Sequence, residues 1–208
     1  MIAVETLIRW WSHKLGLVSP GELIPLAEST GLIVPLGDWI LETVCKQTRK
    51  WLDNGLNALT SCVNISASQY SQPDFIDKVK NCLSTYNLAP HYLELEFTET
   101  TMMEDVNQTI YILQKLQSLG VKIAMDDFGT GNSSLIYLKQ VPLNTLKIDN
   151  YFIHNVAEDS RKLAITKALI QMGQNLNLKI VAEGVENVSE LNILRQLKCD
   201  AMQGFLFT

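Results

Sequence analysis

Seven oxygen- or nitrogen-bearing side chains stand near the ends of short apolar runs: Glu5, Asn64, Glu96, Asp126, Lys147, Glu183 and Gln203. They are separated by 59, 32, 30, 21, 36 and 20 residues, mostly the length of one strand plus one helix. Asp126 is followed at once by Asp127, and then by a loop with two glycines in "GTGNSS". Five carboxylates converging on one rim repel: a pair 4 Å apart costs about 1 kcal/mol in bulk water and about 4 at an effective dielectric of 20. Such a set takes up protons or binds cations. Asn64, a neutral carbonyl donor among acids, favours cations. All-oxygen ligation suits Mg²⁺ or Mn²⁺ rather than Zn²⁺, which calls for His or Cys, and His13, His91 and His154 lie away from the strand ends.

Where a strand breaks into a loop, two consecutive side chains can both turn to the rim, so Asp126 can bridge two ions while Asp127 binds one. Two ions roughly 3.5–4 Å apart form a clamp for in-line displacement at phosphorus. Lys147 either holds the attacking water or a phosphoryl oxygen, or simply pairs with a carboxylate. Arg9, four residues after Glu5, is either a fork for a substrate phosphate or a surface arginine. The glycines after Asp127 let backbone approach a ligand.

The elements that must position these groups alternate strand and helix. Strands are expected at "IAVETLI", "LTSCVNI", "YLELEF", "KIAMDD", "TLKID", "KIVAEG" and "AMQGFLF". Between them, "GDWILETVCKQTRKWLDNG" predicts a helix with Trp39, Ile40, Val44 and Trp51 on its apolar stripe and a stop at Gly55. "DVNQTIYILQKLQSLG" predicts another ending at Gly120, and "NVSELNILRQLKC" one opened by Asn187 and Glu190 as a capping box. Trp10, Trp11, Trp39 and Trp51 are expected in the core. This order is that of an α/β barrel of the TIM type, whose active sites gather at the C-terminal ends of parallel strands.

The chain has 208 residues, 47% hydrophobic and 19% charged, enough for one domain with a sizeable core. A net charge of -5 argues against a broad grip on DNA or RNA. Four cysteines without a C-x-x-C pair suggest a reducing, cytoplasmic setting. Neither a signal peptide nor a membrane span is legible, so no membrane contact is expected from this domain, although a longer parent protein can be tethered.

The motifs "ETLIRW", "LVSPGELIPLAESTGLI", "VNISASQ", "LELEFTET", "DDFGTGNSSL", "LKID", "VAEGVE" and "MQGFLF" together resemble the bacterial EAL domain, the cyclic di-GMP phosphodiesterase module. The resemblance covers residues 1–208. It implies a TIM-type barrel whose first strand is antiparallel, and metal-dependent opening of cyclic di-GMP to linear pGpG. It also implies that Glu5, Asn64, Glu96 and Asp126 bind one metal and that Asp126 and Asp127 serve a second. Glu183 acts on the second metal's water or as general base, Lys147 orients the nucleophile, and Arg9 and Gln203 contact substrate. Glu99 anchors the glycine loop, with Glu186 and Asp149 as supporting positions.

Seven legible strands against the barrel's eight lead to the expectation of a domain truncated at both ends, lacking its first strand, and part of a longer multidomain protein with a sensory or GGDEF-type domain. With a seam open, the isolated chain is expected to be unstable or oligomeric; the family often forms homodimers. Two departures stand out: Thr6 replaces Ala in the name-giving triplet, and Asn132 stands where the family commonly has Tyr. A catalytically silent cyclic di-GMP receptor is the alternative function.

Overall fold

The computed structural model describes residues 2–56, 59–103, 106–130, 138 and 140–207. By its internal packing the chain divides into two compact units, residues 1–96 with 114–122, and residues 97–113 with 123–208. Nine strands and nine helices follow among the described residues, with labels running in chain order.

The first unit contains β1 (Ala3–Thr6), β2 (Trp10–Ser12) and β3 (Gly16–Val18), then α1 (Pro20–Ser29) and α2 (Ile33–Asp53). β4 (Thr60–Asn64), α3 (Ala67–Tyr70), α4 (Phe75–Thr85) and β5 (Leu93–Thr98) follow, β5 running over the boundary between the units. β1 pairs parallel with β4, and β4 with β5. Parallel pairing requires a helical crossover between partners, and α2 and α4 supply it. Val63, Leu93 and Leu95 are buried in this sheet.

α2 lies against the sheet through Ile33, Gly37, Leu41, Val44, Cys45, Thr48 and Leu52, steps of three and four that keep one helical face inward. Thr48 Oγ1 meets Ser61 Oγ of β4 at 2.6 Å, so a buried hydroxyl pair ties helix to strand. Trp39 corrects the expected stripe. It is exposed, because it falls between Leu41 and Gly37 on the opposite side of the turn. Trp10 and Trp11 are also exposed, on the two-stranded antiparallel ribbon β2–β3, and Trp51 is half-buried, so the tryptophans do not form the core. The helix ends as expected, with Gly55 at φ 90° and the Leu56 N–H returning to Trp51 O. Gly37 has a separate use: a Cβ there would lie 1.6 Å from Gln69 Nε2. Gln69 in turn closes a capping box with Ser66 at the start of α3, directly after β4.

The second unit begins with the C-terminal end of β5 and continues through α5 (Glu99–Met103) and the first part of α6 (Val106–Ser118), whose last residues belong to the first unit. Then come β6 (Lys122–Phe128), β7 (Thr145–Ile148), α7 (Asn150–Ile153), α8 (Ser160–Asn175), β8 (Lys179–Ala182), α9 (Val188–Gln196) and β9 (Ala201–Met202). The pairs β6–β7, β7–β8 and β8–β9 are all parallel. Ile123, Ala124, Met125, Leu146, Ile148, Ile180 and Ala182 show no exposed surface, which explains why these strands read as continuous apolar runs. The last expected strand is shorter than "AMQGFLF", since Phe205–Phe207 forms a 3-10 turn. The capping box of Asn187 and Glu190 is present. Among the described residues, no helix is long and apolar enough to cross a membrane.

Candidate functional site

In the first unit, register brings the strand-end groups together. Glu5 of β1 pairs with Cys62 of β4, and Asn64, two residues on, pairs with Glu96 of β5. Side chains two apart share a face of a strand, so Asn64 reaches diagonally back, and its Nδ2 donates to Glu5 Oε1 at 2.9 Å. Glu96 is buried, and so is Glu94 on the same face of β5. Oxygen or sulfur atoms of Cys62, Glu94 and Glu96 lie within 4.8 Å of one another, and the Cys62 thiol donates to Glu94 Oε1 at 3.7 Å. Glu94 was not singled out from sequence. Its signal was there in "LELEF", where period two puts Glu94 and Glu96 on one face and Leu93, Leu95 and Phe97 on the other.

In the second unit, Asp126, Lys147 and Glu183 form one buried ionic cluster. Lys147 Nζ donates to Asp126 Oδ2 at 3.0 Å and lies 2.9 Å from Glu183 Oε1. Lys147 is 2% exposed and sits between Leu146 and Ile148, which have no exposed surface, so its ammonium is held at the end of β7 by the strand on either side. Of the two roles left open for it in the sequence, carboxylate pairing is the one the geometry displays.

Asp127 is the local device. Strand alternation would send it away from Asp126, but its φ is 54°, in the left-handed region, and the β6–β7 register shifts between Met125 and Phe128. Its N–H donates to Asp126 Oδ1 at 2.9 Å. One carboxylate oxygen from each of Asp126, Asp127 and Glu183 lies within 4.8 Å of the others. A non-glycine residue in this conformation costs on the order of 1 kcal/mol, a strain placed where it gathers acids.

Three carboxylates face one ammonium, and the imbalance is visible in Glu183. Burial pushes its carboxyl up to about 8; the Lys147 charge opposes that shift and the Asp126 charge adds to it. The cluster thus holds a proton where a cation would serve, and its donors are all oxygen. That combination fits a hard divalent ion.

The remaining sequence candidates are placed as follows. Glu99 is buried at the start of α5, and its Oε2 accepts from the Gly129 N–H at 2.7 Å. Gly129 has φ 100°, and a Cβ there would stand 2.5 Å from Phe152 Cε2, so the chain turns after the acids only because this residue is glycine. Asn132 lies outside the described residues. Arg9 is exposed, its NH1 donating to Ile8 O at 2.9 Å, and Gln203 is exposed just after β9. Asp149 caps α7 by accepting from Tyr151 N at 2.8 Å. Glu186 is exposed, 3.8 Å from His154 Nδ1, and its backbone N–H donates to Glu190. Glu190, fully buried, also accepts from Asn155 N and Asn187 N, pinning the loop that follows Glu183.

A single family model, described as the EAL domain, matches residues 1–208. The chain belongs to the EAL domain family. It is 48% identical over 206 residues to the bifunctional diguanylate cyclase/cyclic di-GMP phosphodiesterase MucR of Pseudomonas aeruginosa, covering 99% of this chain and 30% of MucR. It is 36% identical over 205 residues to the cyclic di-GMP phosphodiesterase PdeR of Escherichia coli, covering 99% of this chain and 31% of PdeR. The chain therefore spans less than a third of the length of these curated relatives, which carry further sequence of their own. A solved structure of the PaMucR phosphodiesterase in complex with c-di-GMP matches with a TM-score of 0.95 at 48% identity, over 99% of this chain and 83% of that one. The fold is the α/β fold of this EAL structure.

Proposed function

We propose that this EAL domain is a phosphodiesterase that hydrolyses one bond of cyclic di-GMP to give linear pGpG, with Mg²⁺ or Mn²⁺ as cofactor. The observation that carries the reading is the Asp126, Asp127, Glu183 and Lys147 cluster, three convergent carboxylates around one buried ammonium, in a chain similar along its length to cyclic di-GMP phosphodiesterases.

Glu5, Asn64 and Glu96 would supply the oxygen donors of one cation, and Asp126 and Asp127 those of a second. When bound, divalent cations supply Lewis acidity at the phosphoryl oxygen and lower the pKa of water. The protein does the rest. Glu183, held by Lys147, would in its ionised form receive a proton from the attacking water, and its raised pKa makes that form a stronger base than an ordinary carboxylate. Lys147 keeps Asp126 and Glu183 from repelling each other, and its ammonium would orient the attacking water. Arg9 and Gln203 contact the dinucleotide, Arg9 through the fork geometry that matches phosphate oxygens. Glu99 fixes the backbone at Gly129, with Asp149 and Glu186 bracing the neighbouring loops.

The intact protein is proposed to act in the cytoplasm as a homodimer, with a sensory or GGDEF-type domain attached. Incubation of the chain with Mn²⁺ and cyclic di-GMP, followed by chromatography, is expected to yield pGpG. Retention of intact cyclic di-GMP in a bound state, with no product, would make this a receptor instead.

A further inference from the structure

Helix α2 of the first unit is joined along one seam to α4 and the two residues that follow it by polar contacts. Lys78 Nζ lies 2.8 Å from Asp38 Oδ2, Tyr86 OH donates to Glu42 Oε1 at 2.8 Å, and Arg49 NH1 donates to Asn87 O at 3.3 Å. Residues 38, 42, 45 and 49 follow one another in steps of three and four, so they share one face of α2. On α4, Lys78 and Cys82 stand four apart, and Tyr86 follows after four more. Cys45 and Cys82 are thus interior members of two facing rows. The two thiols act on each other: Cys82, together with burial, pushes the Cys45 thiol up, and Cys45 pulls the Cys82 thiol down against burial and the charges of Glu42 and Asp38.

The two cysteines differ in access. Cys45 has no exposed surface, whereas Cys82 is half-buried. Of the other two, Cys62 is buried and donates to Glu94, and burial pushes Cys199 up to about 11. Cys82 is therefore the thiol placed to meet a small oxidant, with Cys45 placed behind it to resolve the product.

We propose that Cys45 and Cys82 form a site of reversible oxidative modification, closing a disulfide between α2 and α4 when the chain meets a peroxide. The Cys82 thiolate attacks a peroxide oxygen, the O–O bond breaks and one water leaves, giving a sulfenic acid. Cys45 sulfur then attacks Cys82 sulfur, the S–O bond breaks and a second water leaves. Two thiols lose two electrons and two protons, and one hydrogen peroxide becomes two waters. The bond closes the loop between residues 45 and 82 and restricts the unfolded chain. This pair is separate from the acidic groups assigned to catalysis and does not depend on that assignment.

The test treats the 208-residue chain with hydrogen peroxide, alkylates remaining thiols and digests it without reductant. The expected result is a mass loss of about 2 Da in the intact chain and a fragment joining the Cys45 and Cys82 peptides, released by dithiothreitol. Cys82→Ser and Cys45→Ser each abolish that fragment, and the oxidised wild-type chain melts higher than the reduced one. Since Cys45→Ser can disturb packing, the mapping on the wild-type chain decides. Peptides with both thiols alkylated, or Cys82 carrying added oxygen and Cys45 free, would overturn the proposal.

Discussion

The strand-end groups of the two units solve the same electrostatic problem by different means. In the first, an amide meets an acid: Asn64 donates one solvent-exposed hydrogen bond to Glu5. In the second, a buried ammonium, Lys147, spans Asp126 and Glu183. A hydrogen bond in solvent can be lost for about its own worth, whereas a buried charge left unpaired costs several times that. Position at a strand end therefore does not fix how much the fold depends on a residue. Its burial and the charge of its partner do.

The largest effect is expected from Lys147→Met. It leaves Asp126 and Glu183 facing each other without their shared ammonium, and the metal-free chain should lose on the order of 3–5 kcal/mol in urea denaturation at pH 7.5. Mn²⁺ should restore part of the loss. An unchanged midpoint would mean that Lys147 is not the counter-charge of the cluster.

Glu183 gives the next effect, and its sign follows from its raised pKa. A carboxyl at about 8 in the folded chain, against the usual 4.5, binds its proton more tightly when folded. Its favourable contribution is full at low pH and is lost as pH rises from about 4.5 through about 8. In chelator, the wild-type chain should thus lose a few kcal/mol across that window, while Glu183→Gln should show a flatter profile and be the more stable protein near pH 8. The same substitution should lower turnover by about 10²- to 10⁴-fold, the range for loss of a general base. Parallel pH profiles would contradict the burial of this group.

Asn64→Ala should be mildest for the fold, about 1 kcal/mol by thermal melting, since one partly exposed hydrogen bond goes. Turnover should nonetheless fall steeply, because a cation donor is removed. Normal turnover would take Asn64 out of the cation site.

Much of this arrangement was legible in the sequence because period and punctuation carry it. Parallel strands buried on both faces write continuous apolar runs, so the strand ends at Glu5, Asn64, Glu96, Asp126, Lys147, Glu183 and Gln203 could be found by their polar groups. Gly55, Gly120 and the Asn187–Glu190 box marked helix ends correctly. Trp39 could not be placed by hydrophobicity alone. A large side chain on α2 reads as core until its position relative to Leu41 and Gly37 is known, and only the packing of Gln69 against Gly37 shows which side is inward. Nor could the backbone of Asp127 be foreseen, since an aspartate at φ 54° carries no marker in the sequence, unlike the glycine two residues later.

Equilibrium dialysis of the chain against Mn²⁺ asks most directly whether these oxygen donors hold cations. Two ions should bind per wild-type chain, with uptake accompanied by proton release below pH 8, and both Asn64→Ala and Asp127→Ala should each reduce the number bound. A folded wild-type chain that binds no Mn²⁺ at millimolar concentration would contradict the assignment.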